Sequence, residues 1–254
     1  MPGFRCGVIE YSSAEFRSFR EADSSGSTVF KTFDSSLILK TVSLQEATTL
    51  LEKILPKWNP ACPTSIICRV YGLFSVCIPG VSKTFAVVMN NLTQIPRPVY
   101  AVFDMKGSKF NRKVLKSPLA EMASTHSGTL KDVDFQEMIG KLSLSREDCD
   151  RLSDAVYSDV SLLNSLRVMD YSLLVAIGEC PSPLSSLPTR FRRNLFQCTN
   201  APSRVYAIGI IDFLQCYSTH KKLERLGKKS VTPQKDVSDA YSEQFLDMAS
   251  SVTE

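Results

Sequence analysis

Paired cysteines at metal-binding spacing are missing from this chain of 254 residues. Its eight cysteines include no CxxC, and His126 and His220 are the only histidines, so a structural zinc site is not expected. No basic start followed by a continuous apolar segment opens the chain, and no secretory leader is expected. The longest mostly apolar region, 64–81, is broken by Arg69, Gly72 and Pro79 and does not read as a membrane span. These absences predict reduced thiols in a cytosolic setting, with the cysteines acting as core fillers. Protein-kinase signatures are missing as well. There is no GxGxxG, no HRD and no Walker A, and Asp212-Phe213 is followed by Leu214 rather than glycine. No internal repeat is visible.

What is present is an ordinary globular composition, 43% hydrophobic and 22% charged, with enough length for one large domain or two lobes. The net charge of +4 is small but clustered. Lys106, Lys109, Arg112, Lys113 and Lys116 form one run, Arg190, Arg192 and Arg193 a second, and Lys221, Lys222, Arg225, Lys228 and Lys229 a third. Any single run is ordinarily a solvated face. Three favour an anionic partner: phosphate, nucleic acid or an acidic membrane. A nucleic-acid partner is the weaker choice, because no recognition motif and no interleaved stacking aromatics accompany the runs.

Residues 28–41 read as two strands joined at the turn Asp34-Ser35-Ser36. Ser43 and Glu46 then have capping-box spacing, Leu44, Ala47, Leu50, Leu51 and Ile54 form one helix face, and Pro56 ends the helix. The block 64–104 is strand-rich, and 105–131 reads as basic loop with a short helix. A helix over 146–166 is capped by Ser145 and carries Cys149, Leu152, Val156, Val160 and Leu163 at helical spacing. Strands are expected over 168–179 and 204–213. A final amphipathic helix places Tyr241, Phe245, Met248 and Val252 on one face. A strand-rich first half and a mixed second half indicate two unequal lobes.

Two strand-borne carboxylates, Asp170 and Asp212, lie in apolar company, and Lys40 ends the strand "LILKT". A lysine for nucleotide phosphates, one aspartate for Mg²⁺ and another for the attacking hydroxyl are the parts of a phosphoryl-transfer site. The small-residue loop Ser25-Gly26-Ser27 precedes the first strand, where backbone N–H groups can approach a phosphate. Each signal alone is weak; their order raises the joint odds.

The stretches "SSGSTVF", "LILKTVSLQEATTLLEKILP", "VVMNNL", "FDMKGSKFNR", "KDVDF", "VMDYSLLVAIGE", "IGIIDF" and "KKLE" follow one another along the chain. In that order they resemble the phosphatidylinositol phosphate kinases, with "MDYSLL" and D-[LM]-K-G-S as near-diagnostic motifs. The resemblance implies an α+β, two-lobed fold, distantly protein-kinase-like, with antiparallel sheets in both lobes and a shortened N-terminal lobe. One catalytic domain would fill 1–254, with N-lobe and hinge over about 1–92 and a substrate and catalytic C-lobe over about 93–254. By the same resemblance Lys40 would hold the phosphates of ATP beneath Ser25, Gly26 and Ser27. Val88, Met89 and Asn90 would form the hinge beside adenine. Asp170 would be the catalytic aspartate and Asp212 the Mg²⁺ ligand. Asp104, Lys106 and Arg112 would face the inositol phosphate, a group that needs cationic donors. Glu46 is assigned to the helix cap rather than to an ion pair with Lys40, and Tyr171 and Ser172 to positioning the backbone around Asp170.

The segment after Asp212 resembles the family's activation loop. Lys221 and Lys222 suit an anionic bilayer, and Glu224 matches the acidic residue of enzymes using the 4-phosphate. The form "KGSxxNR" is closer to the branch using the 3-phosphate, so the starting lipid stays open while the 5-hydroxyl is the favoured acceptor. The expectation is a 1-phosphatidylinositol-4-phosphate 5-kinase-like lipid kinase, cytoplasmic and peripheral on membranes. An inactive phosphoinositide-binding pseudokinase is the alternative, and the oligomeric state is open.

Overall fold

The computed structural model describes residues 19–22, 28–32, 34–60, 62–77, 83–95, 99–108, 110–115, 128–180, 184–187, 192–216 and 237–253. The first strands are β1 (Phe19–Ala22), β2 (Val29–Thr32), β3 (Leu37–Val42), β4 (Val70–Val76) and β5 (Thr84–Asn90), and β2 to β5 fall where β-branched and aromatic residues crowd. These pair antiparallel as one sheet in the order β1-β2-β3-β5-β4. The β2–β3 turn is the expected one: Asp34 Oδ1 accepts from Thr32 Oγ1 at 2.6 Å and from the Ser36 N–H at 3.0 Å.

A second sheet joins β6 (Val99–Met105), β7 (Leu130–Lys131), β9 (Ser172–Glu179), β10 (Leu195–Gln197) and β11 (Arg204–Ile211) in the order β10-β11-β9-β6-β7. All its neighbours are antiparallel except β6 and β7. A small pair, β8 (Val168–Met169) with β12 (Gln215–Cys216), lies at the end of β9 and β11. The helices are α1 (Leu44–Thr48), α2 (Asp132–Met138), α3 (Arg146–Ser165) and α4 (Val237–Ser251). The α+β expectation with antiparallel sheets in both halves holds.

Several local readings change. The helix after Ser43 keeps its capping box but continues as a π turn over Thr49–Ile54, closed by the Leu55 N–H on Leu50 O at 2.9 Å. Of the expected face, Ala47, Leu50 and Ile54, at i, i+3 and i+7, are buried, while Leu44 and Leu51 are exposed. The strand-rich block expected over 64–104 has its first strand at Val70, after an isolated bridge at Ile67. The strand expected over 168–179 is interrupted at Asp170 and Tyr171, and that expected over 204–213 ends at Ile211. No helix lies among the described residues of 105–131; the short helix follows it as α2. Of the described cysteines, Cys68, Cys180 and Cys198 are buried, Cys62, Cys149 and Cys216 are partly so, and Cys77 is exposed rather than a core filler; Cys6 lies outside the described residues.

The largest departure concerns Arg193, expected within a solvated basic run. It is only 8% exposed. Its guanidinium donates to the carbonyls of Ser65, Pro60 and Ile67. Asp159 of α3, also buried, accepts from the Ile66 and Ile67 N–H groups at 2.7 and 3.2 Å. Asn194 Nδ2 donates to Ile66 O and Ile208 O. Segment 65–68 therefore runs against β11, with Ile67 bridged to Ile210. The approach is so close that a Cβ on Gly209 would lie 2.8 Å from Ile66 O. These buried polar groups are tolerable because each finds partners, and they fasten the first sheet to the second.

Asp159→Ala removes the acceptor of two buried N–H groups. It should destabilise the fold by about 2–5 kcal/mol, read as a lower urea midpoint with an unchanged slope. A loss below about 1 kcal/mol would show that the clasp is replaceable by water.

Candidate active site

Strand alternation decides which side chains of the first sheet meet the cleft. Lys40 pairs with Val87, Ile38 with Met89 and Val42 with Phe85, which puts Lys40, Val42, Phe85 and Met89 on one face. All four line a cavity of about 990 Å³ between the sheets, whereas Val87 in the same row is buried in the core. Of the three expected hinge residues, only Met89 reaches it. Val88 faces away, and Asn90 is occupied by accepting from the Arg69 N–H at 2.6 Å.

The floor of the cavity is the gap between two ladders. Ile211 pairs with Ser172 at the end of β9–β11, and Gln215 pairs with Met169 in the small sheet. Between them lie Asp170-Tyr171 on one chain and Asp212-Phe213-Leu214 on the other, so the strands are out of step by one residue. Both aspartates adopt left-handed backbone, with φ of 65° at Asp170 and 59° at Asp212, a conformation Asp tolerates better than most residues. Each is followed by a buried aromatic. Tyr171 packs edge-on against Tyr241 and Phe245 of α4, with centroids 4.9 and 4.8 Å away. Phe213 meets Trp58 edge-on at 5.5 Å. Tyr241 also donates its hydroxyl to the carbonyl of Tyr171. Burial pushes the phenols of Tyr171 and Tyr241 well above their ordinary range, so neither is suited to lose a proton at neutral pH.

Lys40 Nζ meets Asp212 Oδ1 at 2.5 Å, an ion pair that joins the two sheets across the cavity. Glu46 does not compete for it: its carboxylate accepts from Ser43 N at 2.8 Å and Ser43 Oγ at 2.9 Å. Lys106 Nζ donates to the carbonyl of Asp170 at 2.8 Å. Arg112 is braced by two acids, with Nε on Asp132 at 2.6 Å and Nη2 on Asp104 Oδ1 at 2.9 Å and on the Asp104 carbonyl. Those contacts hold its guanidinium protonated, above its already high ordinary range, against the opposing effect of burial.

Asp132 is the residue that sequence reasoning missed. One of its oxygens accepts from the Lys106 and Gly107 N–H groups at 2.9 and 2.7 Å while the other holds Arg112. A single carboxylate thus ties Lys106 and Gly107 to Arg112. The signal was present in "KDVDF", where two acids open a helix, but their partners lie two dozen residues upstream. Gly107 (φ 73°) completes the turn, and Gln244 Nε2 of α4 donates to Lys106 O at 3.1 Å.

The structure therefore brings Lys40, Met89, Asp104, Lys106, Arg112, Asp170 and Asp212 to one cavity. Ser25, Gly26, Ser27, Lys221, Lys222 and Glu224 lie outside the described residues. Among those described, no group of three or more His, Cys, Asp or Glu side chains could hold a metal alone. Asp212 nevertheless fits a cation that completes its shell with phosphate oxygens and water, the habit of Mg²⁺. Its carboxylate is 38% exposed toward the cavity and commits only one oxygen to Lys40. No described helix is long and apolar enough to cross a membrane.

The sequence matches the family model described as Phosphatidylinositol-4-phosphate 5-Kinase over residues 11–190 and 185–252. It is similar to phosphatidylinositol 4-phosphate 5-kinase type-1 beta of Mus musculus, 27% identical over 272 residues, covering 87% of this chain and 49% of that protein. The type-1 alpha protein of Homo sapiens is 30% identical over 254 residues, covering 82% and 44%. Phosphatidylinositol 4-phosphate 5-kinase 1 of Arabidopsis thaliana is 34% identical over 155 residues, covering 60% and 20%. The chain spans about half the length of these curated relatives or less.

Two outcomes follow from this geometry. A Cβ on Gly107 would sit 2.7 Å from Gln244 O at a positive φ, so Gly107→Ala should lower stability by about 2 kcal/mol or more, measured by urea titration. Burial and the nearby Asp212 push the Cys68 thiol up to about 12. At pH 8 iodoacetamide should therefore modify exposed Cys77 and leave Cys68 unmodified until the protein unfolds; equal rates would refute the buried placement.

Proposed function

The chain belongs to the phosphatidylinositol-4-phosphate 5-kinase family, and from that premise we propose that it transfers the γ-phosphate of ATP to a phosphatidylinositol monophosphate. The 5-hydroxyl is the acceptor and a bisphosphate the product. The observation that carries this reading is the meeting of Lys40 and Asp212 with Asp170 and Lys106 in one cavity. Nucleotide-handling and hydroxyl-handling groups then share a single space.

Residues 1–254 act as one catalytic domain, with N-lobe and hinge over about 1–92 and the substrate and catalytic lobe over about 93–254. Lys40 binds the nucleotide phosphates and Ser25, Gly26 and Ser27 cover them. Val88, Met89 and Asn90 form the hinge beside adenine, with the Met89 side chain on the cavity wall. Asp212 holds Mg²⁺, which when bound offsets the negative charge of the phosphates. Lys40 and Asp212 serve as each other's counterion. Binding replaces that pair by two others, Lys40 with phosphate and Asp212 with the metal, so neither charge is left alone in the cleft.

Asp170 orients the inositol hydroxyl. As its oxygen bonds to the γ-phosphorus, the bond to the β,γ-bridging oxygen breaks, ADP leaves, and the hydroxyl proton passes to the Asp170 carboxylate and on to solvent. Left-handed backbone at Asp170 is held from both sides, by Lys106 on its own carbonyl and by Tyr241 on the next. The carboxylate need not reorganise when the reaction begins. Asp104, Lys106 and Arg112 form the substrate side.

Lys221 and Lys222 meet an anionic cytoplasmic membrane surface, each contributing about 1 kcal/mol within a Debye length. Glu224 supports phosphatidylinositol 4-phosphate as the substrate, as do the names of the relatives.

The test is transfer of radiolabelled phosphate from Mg·ATP to liposomes carrying, separately, the 3-, 4- or 5-monophosphate of phosphatidylinositol. Transfer to the 4-phosphate is expected, and Asp170→Asn should reduce turnover by about 10²-fold or more with ATP binding kept. Transfer to the 3-phosphate alone would replace Glu224 by the "KGSxxNR" form as the guide to substrate. No transfer by folded, lipid-bound protein would overturn the kinase reading in favour of phosphoinositide binding without turnover.

A further inference from the structure

Resting on the lipid-kinase reading, we infer that Lys131, a residue outside the motif that reads the headgroup in that proposal, is the cation that grips the phosphate already on the inositol ring. Arg112 and Lys106 shape the pocket around it.

The first argument is placement. β7 pairs with β6 so that Phe103 faces Leu130 and Asp104 faces Lys131. Phe103 and Leu130 are both buried in the core. Alternation puts Asp104 and Lys131 side by side on the opposite face, the one that lines the cavity.

The second argument counts partners. Five cationic side chains line the cavity. Lys40 is paired with Asp212, and Lys83 lies over the ring of Phe85 at 5.3 Å. Lys106 Nζ is on the carbonyl of Asp170, and Arg112 has Nε and Nη2 committed to Asp132 and Asp104. Only the Lys131 ammonium makes no hydrogen bond, ion pair or ring contact among the described residues. A half-buried charge left without a partner beside others that have one is poised for a ligand.

The third argument is the mount. The Lys131 N–H donates to Asp134 Oδ2 at 3.0 Å. Asp134 is itself fully buried and also accepts from the Val114 and Leu115 N–H groups. The backbone at Lys131 is thus fixed to the substrate turn, while its side chain stays uncommitted. A fixed base carrying an unspent ammonium suits a phosphomonoester, which carries close to two charges. Phosphatidylinositol, whose inositol ring carries no phosphomonoester, would gain nothing from it.

The test compares wild type, Lys131→Met and Lys131→Arg, each checked for an unchanged melting temperature. Two readouts are used: kinetics on short-chain phosphatidylinositol 4-phosphate and on unphosphorylated phosphatidylinositol, and calorimetric binding of soluble inositol 1,4-bisphosphate. Lys131→Met should raise KM for the monophosphate about 10-fold or more, leave KM for ATP unchanged and weaken inositol bisphosphate binding alike. The preference for the monophosphate over phosphatidylinositol should fall by the same factor, and Lys131→Arg should restore most of it. An active wild type with an unchanged preference in Lys131→Met overturns the inference alone. A rise in KM for ATP instead assigns Lys131 to the nucleotide and also overturns it. Wild type that transfers phosphate to no lipid and binds no inositol bisphosphate overturns the lipid-kinase reading and this inference with it.

Discussion

Left-handed backbone at Asp170 and Asp212 is the constraint on which the rest of the cavity depends. A non-glycine residue held there costs about 1–2 kcal/mol, and here two sit opposite one another in the gap between two ladders. Each is pinned by the aromatic that follows it. Burying a large apolar side chain contributes about 1.5–3 kcal/mol, enough to offset the backbone cost, and Tyr171 and Phe213 are almost wholly buried. The chain cannot relax at either aspartate without pulling its aromatic out of the core. Strain at the site and packing beneath it are therefore one arrangement, with α4 beneath one half and Trp58 beneath the other.

A second requirement is that Lys40, on the first sheet, reach Asp212, on the second. A 2.5 Å contact between residues so distant in sequence needs the two sheets in a fixed relation. An ion pair this exposed is too weak to impose that relation itself. The clasp around residues 65–68 does so instead. Asp159 supplies acceptors, Arg193 and Asn194 supply donors, and Gly209 permits the contact. Burial raises the Asp159 carboxyl above its ordinary range, although the backbone N–H groups it accepts pull the other way. Arg193 is likewise lowered by burial and by nearby Arg69. Both groups thus sit in a region costly for charge, and the backbone hydrogen bonds each of them makes are what make it tolerable.

Local chemistry was legible in the sequence; long-range company was not. The capping box of Ser43 and Glu46, the Ser145 cap and the Asp34 turn depend on neighbours within a few residues, and all are found. The family motifs located Lys40, Asp170, Asp212 and the "DMKGSKFNR" turn, which share one cavity. The resemblance assigned Val88 to Asn90 together as hinge; which of their side chains meets the cavity depends on strand alternation and the register of β3 on β5. Arg193 was counted as surface charge because nothing nearby in sequence reveals the carbonyls of Ser65 and Ile67. The positive φ values at the two aspartates were likewise hidden, since they follow from a one-residue mismatch between ladders far apart in the chain.

The same blindness explains why the aspartates divide as they do. Asp132, Asp134 and Asp159 each accept from two or more backbone N–H groups, and a carboxylate so satisfied is a scaffold. Asp212 meets one ammonium and keeps an oxygen toward the cavity. Composition treats all these acids as equal, and so does the apolar company around Asp170 and Asp212. What separates them is whether another segment arrives with its N–H groups exposed, as the turn at Lys106–Gly107 does for Asp132. Cations divide by the same rule. Arg112, the more eye-catching residue in the motif, is enclosed by two acids, while Lys131 next to them is not. A fork of donors fixed by protein carboxylates gives shape to a pocket, and the charge that remains unspent at its wall is left for the ligand.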